Sequence, residues 1–213
     1  MAVLSAAQAK AMLLEVAKTV IANKEFLCEA DRNIGDGDHG IGMASGFEAA
    51  QTELMAHDFT DVYQVFSITG RTMIKVMGGA SGIIFGLLFF AGSKNMPPKA
   101  AITQAELSGI FEMADAEIKV KGQAKPGDKT LIDALDPMVA AMKAEADRGA
   151  SFPEMLDAAY QAANEGREAS KNYIAKIGKA KTLGERAIGY PDAGCVSLTV
   201  IVKAMSTWAK ENL

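Results

Sequence analysis

Apolar residues recur at helical spacing along almost the whole chain, and this periodicity constrains the fold more than any other feature of the sequence. Patterns typical of strands are nearly absent. We therefore predict an all-α protein that forms one domain over residues 1–213. The eight predicted helices begin at about residues 5, 41, 61, 81, 103, 130, 151 and 194, and those with clear ends stop near residues 26, 57, 93, 148, 177 and 211.

Capping boxes mark two of the helix starts. Thr103 with Glu106, and Ser151 with Glu154, have the spacing at which a hydroxyl and a carboxylate bind the first free amides of a helix. Pro137 is expected to bend the sixth helix or to delay its start. These local signals agree with the helical periodicity.

Glycine clusters in four segments between the predicted helices, at residues 35–42, 78–82, 122–127 and 178–194. By the helix count these segments follow the first, third, fifth and seventh helices. Loops that join alternate pairs of antiparallel helices lie at the same end of a bundle. The sequence therefore predicts that the four segments meet at one rim.

Composition limits the classes of partner. The net charge of −4 argues against nucleic acid, whose phosphates select basic surfaces. The apolar stretch at residues 83–91 is too short to cross a bilayer, so no membrane role is expected. Cys28 and Cys195 are far apart, without the spacing of a metal site or a disulfide framework. We expect a soluble protein of the reducing cytoplasm.

The first glycine segment carries an unusual density of charge. Asp31, Asp36 and Asp38 lie beside His39, and carboxylates so close together repel one another unless a cation binds among them. Oxygen-rich sites of this kind suit magnesium or calcium. The spacing also matches a dinucleotide fingerprint, but a helix precedes it where that motif needs a strand. A glycine-aspartate turn that only caps the next helix remains an alternative.

The second and third segments each feed a helix N-terminus. The glycines before Ser81 leave amides free for an anion, although glycines at a close helix crossing would give the same pattern. In the third segment Asp128 interrupts a near match to the P-loop, so we reject that fold. Lys129 and Thr130 remain candidates for phosphate contact, and a solvated turn with a threonine cap is the alternative.

The fourth segment is unusually long for a connection in a compact helical protein, and long loops are often functional. Arg186 is a candidate to bridge carboxylates or phosphates, or to form a structural ion pair. Asp192 is expected to cap the last helix, where Cys195 serves as a small residue. Carboxylates for metal, amides for phosphate and nearby basic groups together favour phosphoryl transfer. No side chain is expected to act as a nucleophile.

The combination of motifs resembles the DhaL family, the nucleotide-binding subunits of dihydroxyacetone kinases. The resemblance covers nearly the whole chain in order. It is carried by residues 34–40 (IGDGDHG), 78–82 (GGASG), 125–130 (KPGDKT), 183–186 (LGER) and 192–194 (DAG).

This resemblance implies an eight-helix antiparallel up-and-down barrel with the nucleotide at one rim. Asp31, Asp36 and Asp38 would hold two magnesium ions that bridge the phosphates of ADP or ATP, and His39 would contact phosphate. The residues expected to border the nucleotide are His39, Gly40, Ile41, Gly42, Ala80, Ser81, Gly122, Thr130, Leu131, Lys179, Asp192, Ala193 and Gly194.

The resemblance also implies partners. In standalone members ADP is a retained coenzyme. A phosphotransferase-system subunit that carries a phosphohistidine phosphorylates this ADP to ATP. The acceptor ketone is held on a dihydroxyacetone-binding kinase subunit. Lys179 and Lys181 stand where arginine and serine are common, Gly42 where asparagine is, and Ala193 where proline is. Two alternatives therefore stay open. One is a subunit of an ATP-dependent ketose kinase, for example for erythrulose, and the other is a nucleotide-sensing module without catalysis.

Overall fold

The computed structural model describes residues 3–213, most of which lie in helices. The α-helices of this part of the chain are α1 (Ala6–Ala22), α2 (Lys24–Arg32), α3 (His39–Ala56), α4 (Val62–Val76), α5 (Gly79–Phe90), α6 (Gln104–Gly122), α7 (Ile132–Asp147), α8 (Phe152–Ala169) and α9 (Ala193–Asn212). Short 3-10 helices cover Ser170–Asn172 and Lys179–Ala187. Two-residue strands, β1 (Leu4–Ser5) and β2 (Ala101–Ile102), pair antiparallel.

Both predicted capping boxes are confirmed. The Thr103 hydroxyl accepts a hydrogen bond from the Glu106 amide, and the Glu106 carboxylate accepts one from the Thr103 amide. Ser151 and Glu154 make the same reciprocal pair at the start of α8. Pro137 lies inside α7 without dividing it. Local capping therefore sets where α6 and α8 begin.

The predicted first helix is divided in the structure. It breaks at Asn23 into α1 and α2, because the Asn23 side-chain amide donates to the Thr19 carbonyl oxygen (2.8 Å) and competes with the helical ladder. The Asn23 backbone amide is shared between the carbonyls of Thr19 and Val20. The break lets α2 turn away, and α2 packs against α3 and α9.

The predicted seventh helix is shorter than expected. We predicted that it extends to about residue 177, but α8 ends at Ala169. The Ser170 carbonyl oxygen accepts a hydrogen bond from the ammonium of Lys129 (2.6 Å), and the Ser170 hydroxyl donates to the Arg167 carbonyl oxygen (2.6 Å). These bonds occupy the carbonyl oxygens of Arg167 and Ser170, which would otherwise accept the hydrogen bonds of a longer helix.

Successive helices are also neighbours in space. α1 packs against α3, each helix from α3 to α8 packs against the next, and α9 contacts α1. Their apolar faces share one large core. Gly70 and Gly86 allow the close approach of α4 and α5, since a methyl group on Gly70 would lie 2.6 Å from the Phe90 amide nitrogen. Within residues 3–213, no helix combines the length and apolar character that a bilayer crossing requires.

Candidate functional site

The acidic loop between α2 and α3 is organised around Asp31, which is buried in the last turn of α2. Its Oδ2 accepts hydrogen bonds from the amides of Gly37 (2.9 Å) and His39 (3.3 Å). Gly37 has φ of +77°, which suits glycine, and a side chain on Gly35 would collide with the Asp31 carboxylate. The glycines thus let the loop fold over one buried carboxylate while the other two stay exposed.

Asp31, Asp36 and Asp38 form one group. Each offers a carboxylate oxygen, and these oxygens lie within 4.8 Å of one another. Lys179 reaches the same group, with its Nζ 2.5 Å from Asp36 Oδ2 and 3.4 Å from Asp38 Oδ1. Its hydrogen bond lowers the pKa of Asp36, and the same contact raises the pKa of Lys179. Asp36 is therefore ionised at neutral pH, with Lys179 as its counter-charge.

His39 begins α3 and is held from the opposite side by α9. Its Nε2 lies 2.7 Å from the Ser197 hydroxyl, and its ring packs 5.7 Å from the Phe85 ring, centroid to centroid. Burial lowers the pKa of His39, so the imidazole is neutral at pH 7. His39 can offer a polar contact to a ligand but no fixed positive charge.

The glycine turn before α5 leaves its N-terminus open. Gly78 is the N-cap and no side chain binds the first amides. A Cβ on Gly78 or on Gly79 would meet nothing within 4 Å, whereas one on Gly82 would lie 2.9 Å from the Met77 carbonyl carbon. Close packing therefore accounts for Gly82, and a φ of +67° accounts for Gly79. Free amides at the two outer positions suit an anion such as phosphate.

The third segment is fixed by Asp133 and Lys129. The Asp133 carboxylate accepts hydrogen bonds from the amides of Gly127 (2.5 Å) and Thr130 (2.7 Å). The buried ammonium of Lys129 donates to the carbonyl oxygens of Ser170 and Tyr190, at 2.6 Å each. The structure thus gives the Lys129 ammonium a role in holding the backbone where the sequence suggested phosphate contact.

The fourth segment ends at Asp192, which caps α9 as predicted. Its Oδ2 accepts a hydrogen bond from the Cys195 amide (3.0 Å), and the Cys195 thiol donates to the Thr130 carbonyl oxygen (3.1 Å). Withdrawal from water raises the pKa of Asp192 to about 6 and the pKa of Cys195 well above its ordinary value. Cys195 therefore packs as a protonated thiol. Arg186 is exposed and donates to the Leu183 carbonyl oxygen.

The four glycine segments meet at one cavity of about 780 Å³, as the helix count predicted. Its walls include most of the residues expected from the sequence, namely Asp31, Asp38, His39, Ile41, Gly42, Ala80, Ser81, Gly122, Thr130, Leu131, Lys179, Asp192, Ala193 and Gly194. Asp36 joins through the carboxylate group. Gly40 is not part of the walls. A methyl group there would lie 2.7 Å from the Cys28 amide nitrogen, so Gly40 serves the packing of α3 on α2.

Apolar walls of the cavity were missed by sequence reasoning. Side chains on predicted helices looked like core, although the structure places them against the cavity. The missed residues are Ile34, Met77, Ile83, Ile84, Phe85, Ile118, Ala124, Ile132 and Ile177, together with the basic residue Lys121. Most lie within a few positions of a glycine segment, and that proximity was the available signal.

Fold and site together define a mostly helical protein whose inter-helix loops line a cavity with an acidic group at its edge. The sequence profile of the DAK2 domain matches residues 33–207, and the chain therefore belongs to the DAK2 domain family.

Relatives in this family include kinase subunits and longer kinases. The chain is 33% identical over 187 residues to the ADP-binding subunit DhaL of the PEP-dependent dihydroxyacetone kinase of Escherichia coli, which covers 88% of this chain and 89% of the relative. It is 33% identical to an L-erythrulose kinase of Pectobacterium atrosepticum, covering 95% of this chain and 35% of that enzyme. The relatives thus include subunits of similar length and enzymes about three times as long.

A solved structure shares the fold. The native dihydroxyacetone kinase of C. freundii superposes with a TM-score of 0.73 at 24% identity, covering 94% of this chain and 34% of that one. The same enzyme in complex with AMP-PNP and Mg²⁺ gives a TM-score of 0.71. The helical arrangement of this chain is therefore that of a domain within a larger kinase.

Proposed function

We propose that this chain is a nucleotide-binding phosphotransferase subunit that acts on dihydroxyacetone, or a related small hydroxyketone, held on a partner subunit. The observation that carries the proposal is the group of three carboxylates, whose oxygens lie within 4.8 Å of one another beside a cavity of about 780 Å³. The similarity to DhaL over most of both chains supports it.

The residues of the acidic group fit magnesium. Carboxylate oxygens are the ligands that this ion prefers, and the ammonium of Lys179 already lies among them. We propose that Asp31, Asp36 and Asp38 hold two Mg²⁺ ions. Bound magnesium would neutralise the negative charge of the phosphates. Phosphoryl transfer requires this neutralisation together with accurate positioning of the reacting groups.

The remaining walls fit ADP or ATP. The uncapped N-terminus of α5, at Ala80 and Ser81, offers amides and a hydroxyl for phosphate oxygens. The side chains of Ile84 and Ile118 supply apolar surface for a base. His39, neutral and fixed by Ser197, is proposed to contact a phosphate oxygen, and no residue of the site is proposed as a nucleophile.

We further propose that the helices form an eight-helix antiparallel barrel, with α2 as an addition outside it. Contacts between successive helices and the contact of α9 with α1 support a closed ring. Such a subunit would receive phosphoryl groups from a phosphohistidine-carrying phosphotransferase-system subunit and pass them to a dihydroxyacetone-binding subunit. The 33% identity to two DhaL subunits, over 88% and 91% of this chain, supports this arrangement.

The first test identifies any nucleotide that the protein retains. Protein purified without added nucleotide is denatured, and the released nucleotide is identified by chromatography. We expect about one ADP per chain, the stoichiometry of a retained coenzyme. An empty site that binds ATP reversibly with magnesium would contradict retention and support the second candidate below.

The second test removes the proposed metal ligands. Asp36→Ala and Asp38→Ala are expected to abolish magnesium-dependent ADP binding in calorimetry while leaving the helical circular dichroism unchanged. Both residues are exposed and contribute no core packing. Asp58→Ala is the matched control, since Asp58 is a fully exposed carboxylate just beyond the far end of α3. Wild-type ADP binding by the Asp36 and Asp38 variants would contradict the assignment.

A second candidate function is a subunit of an ATP-dependent ketose kinase with exchangeable ATP. Similarity to erythrulose kinases over most of this chain favours it. The substitution of Lys179 for the arginine common in the DhaL pattern also favours weaker phosphate recognition, because lysine lacks the bidentate geometry of arginine. A nucleotide-sensing module would instead keep nucleotide binding and show no phosphoryl transfer with any kinase partner.

A further inference from the structure

Lys179 places a positive charge directly on the acidic group. Its Nζ lies 2.5 Å from Asp36 Oδ2 and 3.4 Å from Asp38 Oδ1, and these partners are more than a hundred residues away in the sequence. A protonated amine here satisfies the same carboxylates that we propose as metal ligands. The ammonium and a magnesium ion repel each other at this distance and therefore compete for those oxygens.

The backbone that carries Lys179 is weakly attached to the rest of the protein. It forms a 3-10 helix over Lys179–Ala187 that is interrupted at Gly184, where φ is 54° and ψ is −128°. Its apolar contacts belong to a small cluster, separate from the main core, of Ile34, Ala175, Ala180, Ala187 and Ala193, with Leu183 at its edge. Alanine buries little apolar area, so moving this segment costs little free energy.

The ion pairs themselves are also easily exchanged. The side chains of Lys179, Asp36 and Asp38 are 62%, 53% and 65% exposed, respectively. Ion pairs in such contact with water are weak and give way to a competing cation of higher charge. The lysine therefore occupies the group without blocking it.

We propose that Lys179 is a tethered counter-ion, which occupies the acidic group while no divalent metal is bound and leaves it when metal binds. This inference rests on the proposed function, because it takes the three carboxylates as the metal site. It adds a regulatory coupling. Metal binding displaces the lysine and so releases the Lys179–Ala187 segment from the acidic loop.

The test measures binding of Mn²⁺, as a probe for magnesium, to nucleotide-free protein by electron paramagnetic resonance. We expect Lys179→Met to bind Mn²⁺ roughly threefold to tenfold more tightly than wild type, the range given by losing one or two exposed ion pairs. Lys181→Met is the matched control. It removes the same charge from the same segment, but Lys181 joins none of the ion pairs found in residues 3–213. We expect its Mn²⁺ affinity to stay within about twofold of wild type.

Hydrogen exchange supplies a second readout that does not depend on activity. In the wild type, Mn²⁺ is expected to speed exchange of amides within residues 179–187. In Lys179→Met these amides should exchange fast both with and without Mn²⁺. Equal Mn²⁺ affinity in Lys179→Met and wild type, or equal tightening in Lys181→Met, would overturn the counter-ion proposal and leave the metal site in place. No Mn²⁺ binding by any variant, even with ADP, would overturn the proposed function as well.

Discussion

Two opposing effects act on the pKa of Asp192, which lines the cavity. Its carboxylate caps α9 through the Cys195 amide, and this bond favours the ionised form. Withdrawal from water outweighs the bond and raises the pKa of Asp192 from 3.8 to about 6. At neutral pH Asp192 is therefore ionised in the folded protein although its surroundings disfavour the ionised form, and this costs free energy of folding. Such a cost is typical of residues kept for function.

This cost has a definite pH window. Because the folded pKa is raised, the favourable contribution of protonated Asp192 to the free energy of unfolding is complete below about pH 4 and is lost as pH rises through about 6. Asp192→Asn keeps a capping oxygen but does not ionise. We expect it to raise the free energy of unfolding at pH 7.5 by about 1–3 kcal/mol and to change it little at pH 4.

Urea unfolding of nucleotide-free protein at the two pH values measures this difference. Asp58→Asn serves as the control, because Asp58 is fully exposed. We expect that control to track the wild type at both pH values. A gain in Asp192→Asn that was the same at pH 4 and pH 7.5 would show that ionisation is not its cause.

Sequence reasoning found the polar residues of the site more readily than its apolar ones. Asp31, Asp36 and Asp38 stood out because carboxylates so close together repel one another unless a cation binds among them. Ile84 and Phe85 did not, because an apolar side chain beside a cavity has the same spacing as one in a core. The role of the Lys129 ammonium was predicted wrongly for another reason. Its carbonyl partners, 41 and 61 residues away, belong to segments whose approach the local sequence does not specify.

At the level of elements, α3 presents two glycines with opposite roles. Gly40 lies against α2, where an added methyl group would sit 2.7 Å from the Cys28 amide nitrogen and 2.8 Å from its sulfur. Gly42, two residues later on the same helix, has nothing within 4 Å of the corresponding position. The first glycine fixes the approach of two helices, while the second keeps the cavity open.

This contrast gives a paired prediction. Gly40→Ala is expected to lower the free energy of unfolding of nucleotide-free protein by about 2–3 kcal/mol, because the backbone of α2 would have to move. Gly42→Ala is expected to raise it by about 0.5–1 kcal/mol, since alanine is the better helix former in open space. Chemical unfolding monitored by circular dichroism measures both. A loss of similar size in the two variants would contradict the packing argument.

The elements themselves were largely predictable where capping and periodicity agreed, as for α6 and α8 at their starts. Prediction was wrong where a side chain made a bond that periodicity does not encode. Asn23 divides the first helix through its own amide, and Lys129 takes the carbonyl at which α8 would have continued. Two-residue strands such as β1 and β2 are too short for any alternating pattern to reveal.

At the level of the whole molecule, ligand binding is expected to raise the free energy of unfolding. Segments from four inter-helix connections line one cavity, so a ligand there contacts connections that are far apart along the chain. Any ligand that binds only the folded state stabilises it by mass action. We expect magnesium with ADP, at a hundredfold excess over its Kd, to add about 2.7 kcal/mol to the free energy of unfolding.

For a protein of this size that gain corresponds to a rise of about 5–10 °C in Tm. The experiment is thermal unfolding of nucleotide-stripped protein with ADP and magnesium, and a parallel sample contains ADP with a chelator. The chelated sample should unfold close to the ligand-free temperature. An equal rise in both samples would mean that nucleotide binding does not depend on metal, against the assignment of the acidic group.

The base of the loop after α8 is closed by its own hydrogen bonds. The Asp192 amide donates to the Ser170 hydroxyl (3.0 Å), the Gly189 amide donates to the Lys171 carbonyl oxygen (2.8 Å), and Lys129 joins Ser170 to Tyr190. The two ends therefore stay together whatever the chain does between them. Changes in length or sequence between residues 172 and 188 are therefore expected to alter the contacts of this loop with the acidic group, while the helices on either side keep their positions. In evolutionary terms, we expect sequence changes in this loop to alter ligand binding at little risk to folding.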